Sequence, residues 1–194
     1  MNDVSAGSAA PRTGGPRERR QAYVSGLYRL HTALENPAAS SGARRDLALL
    51  RRSLSGQAEA MRAYQVLLRY NPPQQEEHLW LLLGGLFAQS PQPPPTSSTP
   101  ATLGGSLGRL AATAGISGSE NNPVERRLIQ LLSVSAAMLP FHLRQCVRLV
   151  DNRDVEVNFY RLANDLVPLL GLEQNRAQEI RLSWARDYHR EFPS

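Results

Sequence analysis

Large apolar residues recur along this chain at three- and four-residue intervals, and prolines at 37, at 72–73 and over 90–100 interrupt the pattern. A period near 3.6 buries one side of an α-helix, whereas a half-buried strand needs strict alternation. Tyr23, Leu27, Leu30 and Leu34 form the first stripe, in a predicted helix over residues 17–36 that Pro37 stops. Leu47, Leu50 and Leu54 mark a second helix over 41–54. A third, over 57–70, is predicted to turn Met61, Tyr64, Leu67 and Leu68 inward before Asn71-Pro72-Pro73 ends it. A fourth begins near Gln74, with Leu79, Leu82, Leu83, Leu86 and Phe87 inside.

Composition then shifts. Residues 90–100 hold five prolines and no large apolar side chain, which reads as an exposed linker or loop insertion. Helical spacing resumes in a short helix over 106–114. Asn122-Pro123-Val124-Glu125 has the order of a helix start, with a capping Asn, Pro in the first turn and Glu three residues on; Leu128, Leu131 and Leu132 follow. Pro140 opens the next helix, with Leu143, Val147 and Val150 inside. Another carries Phe159, Leu162, Ala163, Leu166 and Leu170, with Pro168 as a potential kink. The last spans 173–191, with Ala177, Ile180, Trp184 and Tyr188 inside. Val155 and Val157 are the only short strand candidate. The expected fold is all-α: a mobile tail over 1–16, an N-terminal helical bundle over 17–89, a Pro/Ser-rich linker over 90–102 and a C-terminal helical bundle over 103–194.

Several function classes drop out on the same residues. No apolar run approaches the roughly 20 residues that cross a bilayer; the longest, Leu79 to Phe87, is interrupted by Gly84 and Gly85. Residues 1–15 lack the apolar centre of a signal peptide. Cys146 is the single cysteine, so no internal disulfide forms. A cytoplasmic location is expected, with no membrane partner.

Charge points the other way, towards a ligand. The chain is 194 residues long with a net charge of +5, and all 22 of its basic residues are arginine. Guanidinium offers phosphate a planar fork of donors. A GC-rich genome also replaces lysine codons by arginine codons, and this accounts for the missing lysines better than function does. It leaves the net positive charge unexplained, and that charge suits a polyanion.

The most concentrated signal is the second helix. At roughly 100° per residue, Arg44 and Arg51 share one direction and Arg45 and Arg52 another, about a quarter turn away. Leu47, Leu50 and Leu54 fall opposite, and Asp46 is the one local counter-charge. Like charges stacked this way repel unless an anion neutralises them; an ordinary solvated face is the alternative. Arg126-Arg127 and the Arg144/Arg148 pair are weaker versions, with Glu125, Asp151 and Asp154 near enough to pair with them. The glycines of Leu103-Gly104-Gly105-Ser106-Leu107-Gly108-Arg109 invite a phosphate-loop reading, but no strand precedes them and no Gly-Lys-Ser/Thr follows. A flexible approach to a helix start fits better.

Catalytic chemistry finds no constellation. His142 and Cys146 lie one turn apart without further metal ligands, and His31, His78 and His189 are isolated. Glu76-Glu77 has the character of an acidic first helical turn. Neither a cofactor nor a small-molecule substrate is expected.

The order of motifs is informative beyond each motif alone. Ser106-Leu107-Gly108-Arg109-Leu110-Ala111, then Val124-Glu125-Arg126-Arg127-Leu128-Ile129-Gln130-Leu131-Leu132, then Phe141-His142-Leu143-Arg144-Gln145-Cys146-Val147-Arg148-Leu149-Val150 resembles the CasB family, the small subunit of the type I-E CRISPR surveillance complex Cascade. The helix Ala43-Arg44-Arg45-Asp46-Leu47-Ala48-Leu49-Leu50-Arg51-Arg52 resembles that family's arginine-rich segment, and Trp184-Ala185-Arg186-Asp187-Tyr188 its closing helix. The likeness covers most of residues 20 to 190.

The resemblance implies an all-helical protein that is not an enzyme. It implies copies joined end to end, the backbone and large Cascade subunits as partners, and basic faces supporting the target DNA paired to the guide RNA and the displaced strand. By position, Arg44, Arg45, Arg51, Arg52, Arg109, Arg126, Arg127 and Arg144 match the family's basic positions. The family often has a basic pair where this chain has Arg144-Gln145, and the Pro-rich insertion is unusual in composition. The alternative is a helical protein-interaction module whose basic charge reflects codon bias. A helical nuclease lacks its acidic metal ligands.

Overall fold

The computed structural model describes residues 14–114, 122–173 and 175–192; most of the tail expected over 1–16 lies outside them. The described residues form helices and turns without a strand. In chain order the helices are α1 (Pro16–Leu34), α2 (Ser40–Arg52), α3 (Gln57–Leu67), α4 (Glu77–Gln89), α5 (Leu103–Thr113), α6 (Pro123–Ser133), α7 (Leu139–Asp151), α8 (Phe159–Leu169) and α9 (Ala177–Glu191). None of them is long and apolar enough to cross a membrane.

Local chemistry sets several starts. Asn122 Oδ1 accepts from the backbone N–H groups of Val124 and Glu125, with Pro123 in the first turn of α6. Thr102 and Asn158 cap α5 and α8 in the same way. Such caps stabilise a helix by about 1 kcal/mol each. The expected second helix ends in a 3₁₀ turn, Ser53–Ser55, and the third in another, Leu68–Tyr70, after which Asn71 takes a left-handed φ of 48°.

The buried side chains of both halves belong to one continuous core. Tyr23 stacks on Trp80 at 4.7 Å between ring centres, and its hydroxyl donates to the Trp80 carbonyl at 3.1 Å. Phe87 of α4 meets Tyr28 of α1 and Phe159 of α8 edge-on, at 5.4 and 5.1 Å. Offset and edge-on aromatic pairs add about 0.5–1.5 kcal/mol beyond their buried area. The segment after α4 lacks helix through Thr102, yet it is pinned down. Ser90 Oγ donates to Asp151 at 2.6 Å, the backbone N–H of Val157 donates to Gln92 Oε1 at 3.1 Å, and Thr99 Oγ1 donates to Glu156.

Three expectations need correction. On α3 it is Ala63, Val66 and Leu67 that face the core, while Met61, and Leu68 in the 3₁₀ turn that follows, are 69% and 62% exposed. The helix has apolar residues on both sides, so its period alone does not select the inner one. Val155 and Val157 are buried, but in irregular backbone rather than a strand. The glycine run is not an approach to a helix: it lies inside α5. A Cβ on Gly104 would sit 2.0 Å from the Trp184 carbonyl oxygen, and one on Gly108 2.4 Å from that of Tyr188. These glycines, one turn apart, let the backbones of α5 and α9 touch. The close approach brings Tyr188 to Asn122, whose Nδ2 donates to the tyrosine hydroxyl at 3.0 Å.

Candidate nucleic-acid interface

The arginine-rich helix is laid out as its wheel requires. Ala43, Leu47 and Leu50 are buried against the core, and Arg44, Arg45, Arg51 and Arg52 are all exposed. Asp46, expected as a counter-charge for this face, is instead turned inward and only 4% exposed. Arg69 holds it with two guanidinium nitrogens, and Arg45 Nη2 adds a longer contact at 3.5 Å. The carboxylate is thereby consumed largely by a residue outside α2. Among the described residues Arg44 and Arg52 have no carboxylate partner, so the face keeps its positive field.

Arg51 does more than project. Its Nε donates to the carbonyl oxygen of Ala88 at 2.7 Å, satisfying one of the orphan acceptors in the last turn of α4. Arg144 of α7 does the matching work from the other half: Nη1 donates to the carbonyl oxygen of Leu54 at 2.9 Å. Between them lies a hollow of about 410 Å³, lined also by Ser55, Arg148, Asp151 and Asn152. Arg148 is exposed and has no carboxylate partner among the described residues. Its spacing from Arg144 showed that the two share a face, but its convergence with Arg51 depends on how α2 and α7 pack.

The remaining expected positions lie elsewhere. Arg109 on α5 is engaged twice, by Glu191 Oε2 at 2.8 Å from Nη2 and by the carbonyl of Ser98. Arg126 and Arg127 are exposed on α6. Arg127 lies close enough to Cys146 to favour its thiolate, but burial dominates and pushes that thiol up to about 12. A thiol so protonated is a poor nucleophile and a poor metal ligand. The described residues contain no cluster of metal-ligating side chains.

The geometry therefore defines a class: an all-helical protein with an arginine face on α2 and a second arginine source on α7 meeting it across the two halves. The sequence matches the family model for the CRISPR-associated protein Cse2 over residues 46–189, and the chain belongs to that family. Solved structures agree. CasB from M. ruber aligns with a TM-score of 0.61 at 25% identity, covering 89% of this chain and 93% of that one. A CRISPR-associated protein of the Cse2 family from Thermus thermophilus aligns at 0.60 and 25%, covering 85% and 96%. A chain of a CRISPR RNA-guided surveillance complex aligns at 0.65 and 20%, covering 91% and 94%, a likeness of fold. None of the curated proteins matches the sequence.

Proposed function

We propose that this protein is the non-catalytic small subunit of a CRISPR RNA-guided surveillance complex of the Cascade type, and that it steadies target DNA and the displaced strand by gripping their phosphates. Its partners in that role are the backbone and large subunits, a second copy of itself, the guide RNA and the target DNA. The observation that carries the reading is the meeting of Arg51 and Arg144, from opposite halves, beside an α2 face whose one acid is turned inward and held by Arg69. Membership of the Cse2 family supports the same conclusion.

Arg44, Arg45, Arg51, Arg52 and Arg144 are the principal contacts in this reading. Arg126 and Arg127 extend them from α6. Arg109 contributes only once its Glu191 partner yields, so it ranks last. The exposed side chains of Met61, Leu68, Ile129 and Phe141 favour a second role, contact with other proteins, which an assembly subunit also needs.

Binding of labelled single-stranded DNA across a salt series tests the proposal. Phosphate contacts release counterions, so log affinity falls with log salt at about −0.7 per phosphate neutralised. A steep fall with little sequence preference is expected. Affinity that is flat with salt favours the protein-interaction role alone.

A further inference from the structure

We infer that the hollow between α2, α4 and α7 is an oxyanion seat that takes one backbone phosphate of a nucleic-acid strand, with Arg51, Arg144 and Arg148 as its ligands. The inference rests on the nucleic-acid reading for the source of the phosphate, and it adds Arg148 to the contacts.

Two of the three guanidinium groups are already fixed. Arg51 spends Nε on the Ala88 carbonyl and Arg144 spends Nη1 on the Leu54 carbonyl. A guanidinium has five N–H donors, so each retains donors after making that bond. Tethering removes much of the side-chain freedom that an ion contact otherwise costs. Arg148 supplies the third charge from one turn further along α7, with no carboxylate of its own among the described residues.

The hollow holds one acid, Asp151, which Ser90 Oγ engages through Oδ1 at 2.6 Å. Three cations against one carboxylate leave a surplus that a phosphate neutralises. Ser55, Gln89 and Asn152 complete the rim with neutral polar groups. The volume, about 410 Å³, falls within the usual range of ligand sites, roughly 300–1,000 Å³, and leaves room for the sugar beside the phosphate. Because Arg51 belongs to the first half and Arg144 and Arg148 to the second, a phosphate held by all three ties α2 to α7.

The test uses the full chain and the variants Arg148→Ala, Arg148→Lys and Arg190→Ala. Thermal midpoints are read in inorganic phosphate and in chloride at equal ionic strength, and single-strand DNA affinity is read across salt. Phosphate should raise the parent's midpoint above the chloride value, and Arg148→Ala should remove at least half of that rise. Arg148→Ala should also flatten the salt slope by about 0.7. Arg148→Lys, which keeps a charge without the fork, should fall between, and Arg190→Ala should match the parent.

A parent that binds DNA with a steep salt slope which Arg148→Ala leaves unchanged overturns the seat and spares the wider reading. A parent that ignores DNA but loses its phosphate rise in Arg148→Ala supports a seat for free phosphate and overturns the strand as its source. A phosphate rise that survives intact in Arg148→Ala overturns the assignment altogether.

Discussion

Arg144 Nη1 and the carbonyl oxygen of Leu54 are hydrogen-bonded at 2.9 Å across 90 residues of sequence. One guanidinium thus closes the end of the arginine-rich helical segment and faces the hollow beside it. Arg144→Ala is expected to lower stability by about 0.5–1.5 kcal/mol, the net worth of such a bond, and to weaken DNA binding as well. Chemical denaturation together with a binding series separates the two effects. Unchanged stability shows that the Leu54 carbonyl is satisfied by water instead.

Arg51 carries a similar double duty, so Arg51→Ala/Arg52→Ala is not a pure surface change. Loss of the 2.7 Å bond to Ala88 is expected to cost about 1 kcal/mol, while Arg52→Ala alone stays within about 0.5 kcal/mol of the parent. Thermal melts of the two single variants check the asymmetry. Equal midpoints contradict the structural role of Arg51.

Glycine substitutions should split by position. Gly104→Ala places a methyl 2.0 Å from the Trp184 carbonyl oxygen and is expected to destabilise by about 1–3 kcal/mol through overpacking. Gly42→Ala, on α2 with open space around its Cβ position, is expected to stabilise by up to about 1 kcal/mol through helix propensity. Urea midpoints of both variants decide; a Gly104→Ala variant as stable as the parent contradicts the close packing of α5 on α9.

Asp165 gives the stability a pH signature. Its carboxylate accepts from Trp184 Nε1 at 2.7 Å and from Arg161 Nε at 2.8 Å. Burial raises its pKa above the ordinary value, although both partners pull it down. A carboxyl with a raised folded pKa favours folding in its protonated form. Its contribution is therefore full below the unfolded value, about 3.9, and is lost as pH rises through the folded value. Asp165→Asn lacks this loss. The difference in melting temperature between variant and parent should move in the variant's favour as pH rises from about 4 towards neutrality, and a difference that moves the other way refutes the assignment.

The parts of this fold that were legible in sequence are those governed by local spacing. Leu143, Val147 and Val150 are fixed inward on α7 because Arg144 and Arg148 mark its outer side, and Asn122-Pro123 fixes the start of α6 because capping needs only neighbours. Where both helix sides are apolar, as on α3, period alone could not choose. Ala63 and Val66 win the core while Met61 stays outside. The glycines of α5 read as a flexible approach to a helix because their partner, the backbone of α9, lies far along the sequence. The exposure of Arg44, Arg45, Arg51 and Arg52 followed from the wheel, but the capture of Asp46 by Arg69 and of Arg109 by Glu191 did not. Those pairings depend on tertiary packing and decide which cations remain available.

The central claim is that the outer face of α2 holds nucleic-acid phosphate, and the salt dependence of binding by Arg44→Ala/Arg52→Ala tests it most directly. Both side chains are exposed, and neither has a carboxylate partner among the described residues, so the fold should stay within about 0.5 kcal/mol of the parent for each change. Weaker binding of single-stranded DNA is predicted, with a salt slope shallower by about 0.7 for each lost contact. A folded double variant that binds as tightly as the parent, with the same slope, contradicts the claim.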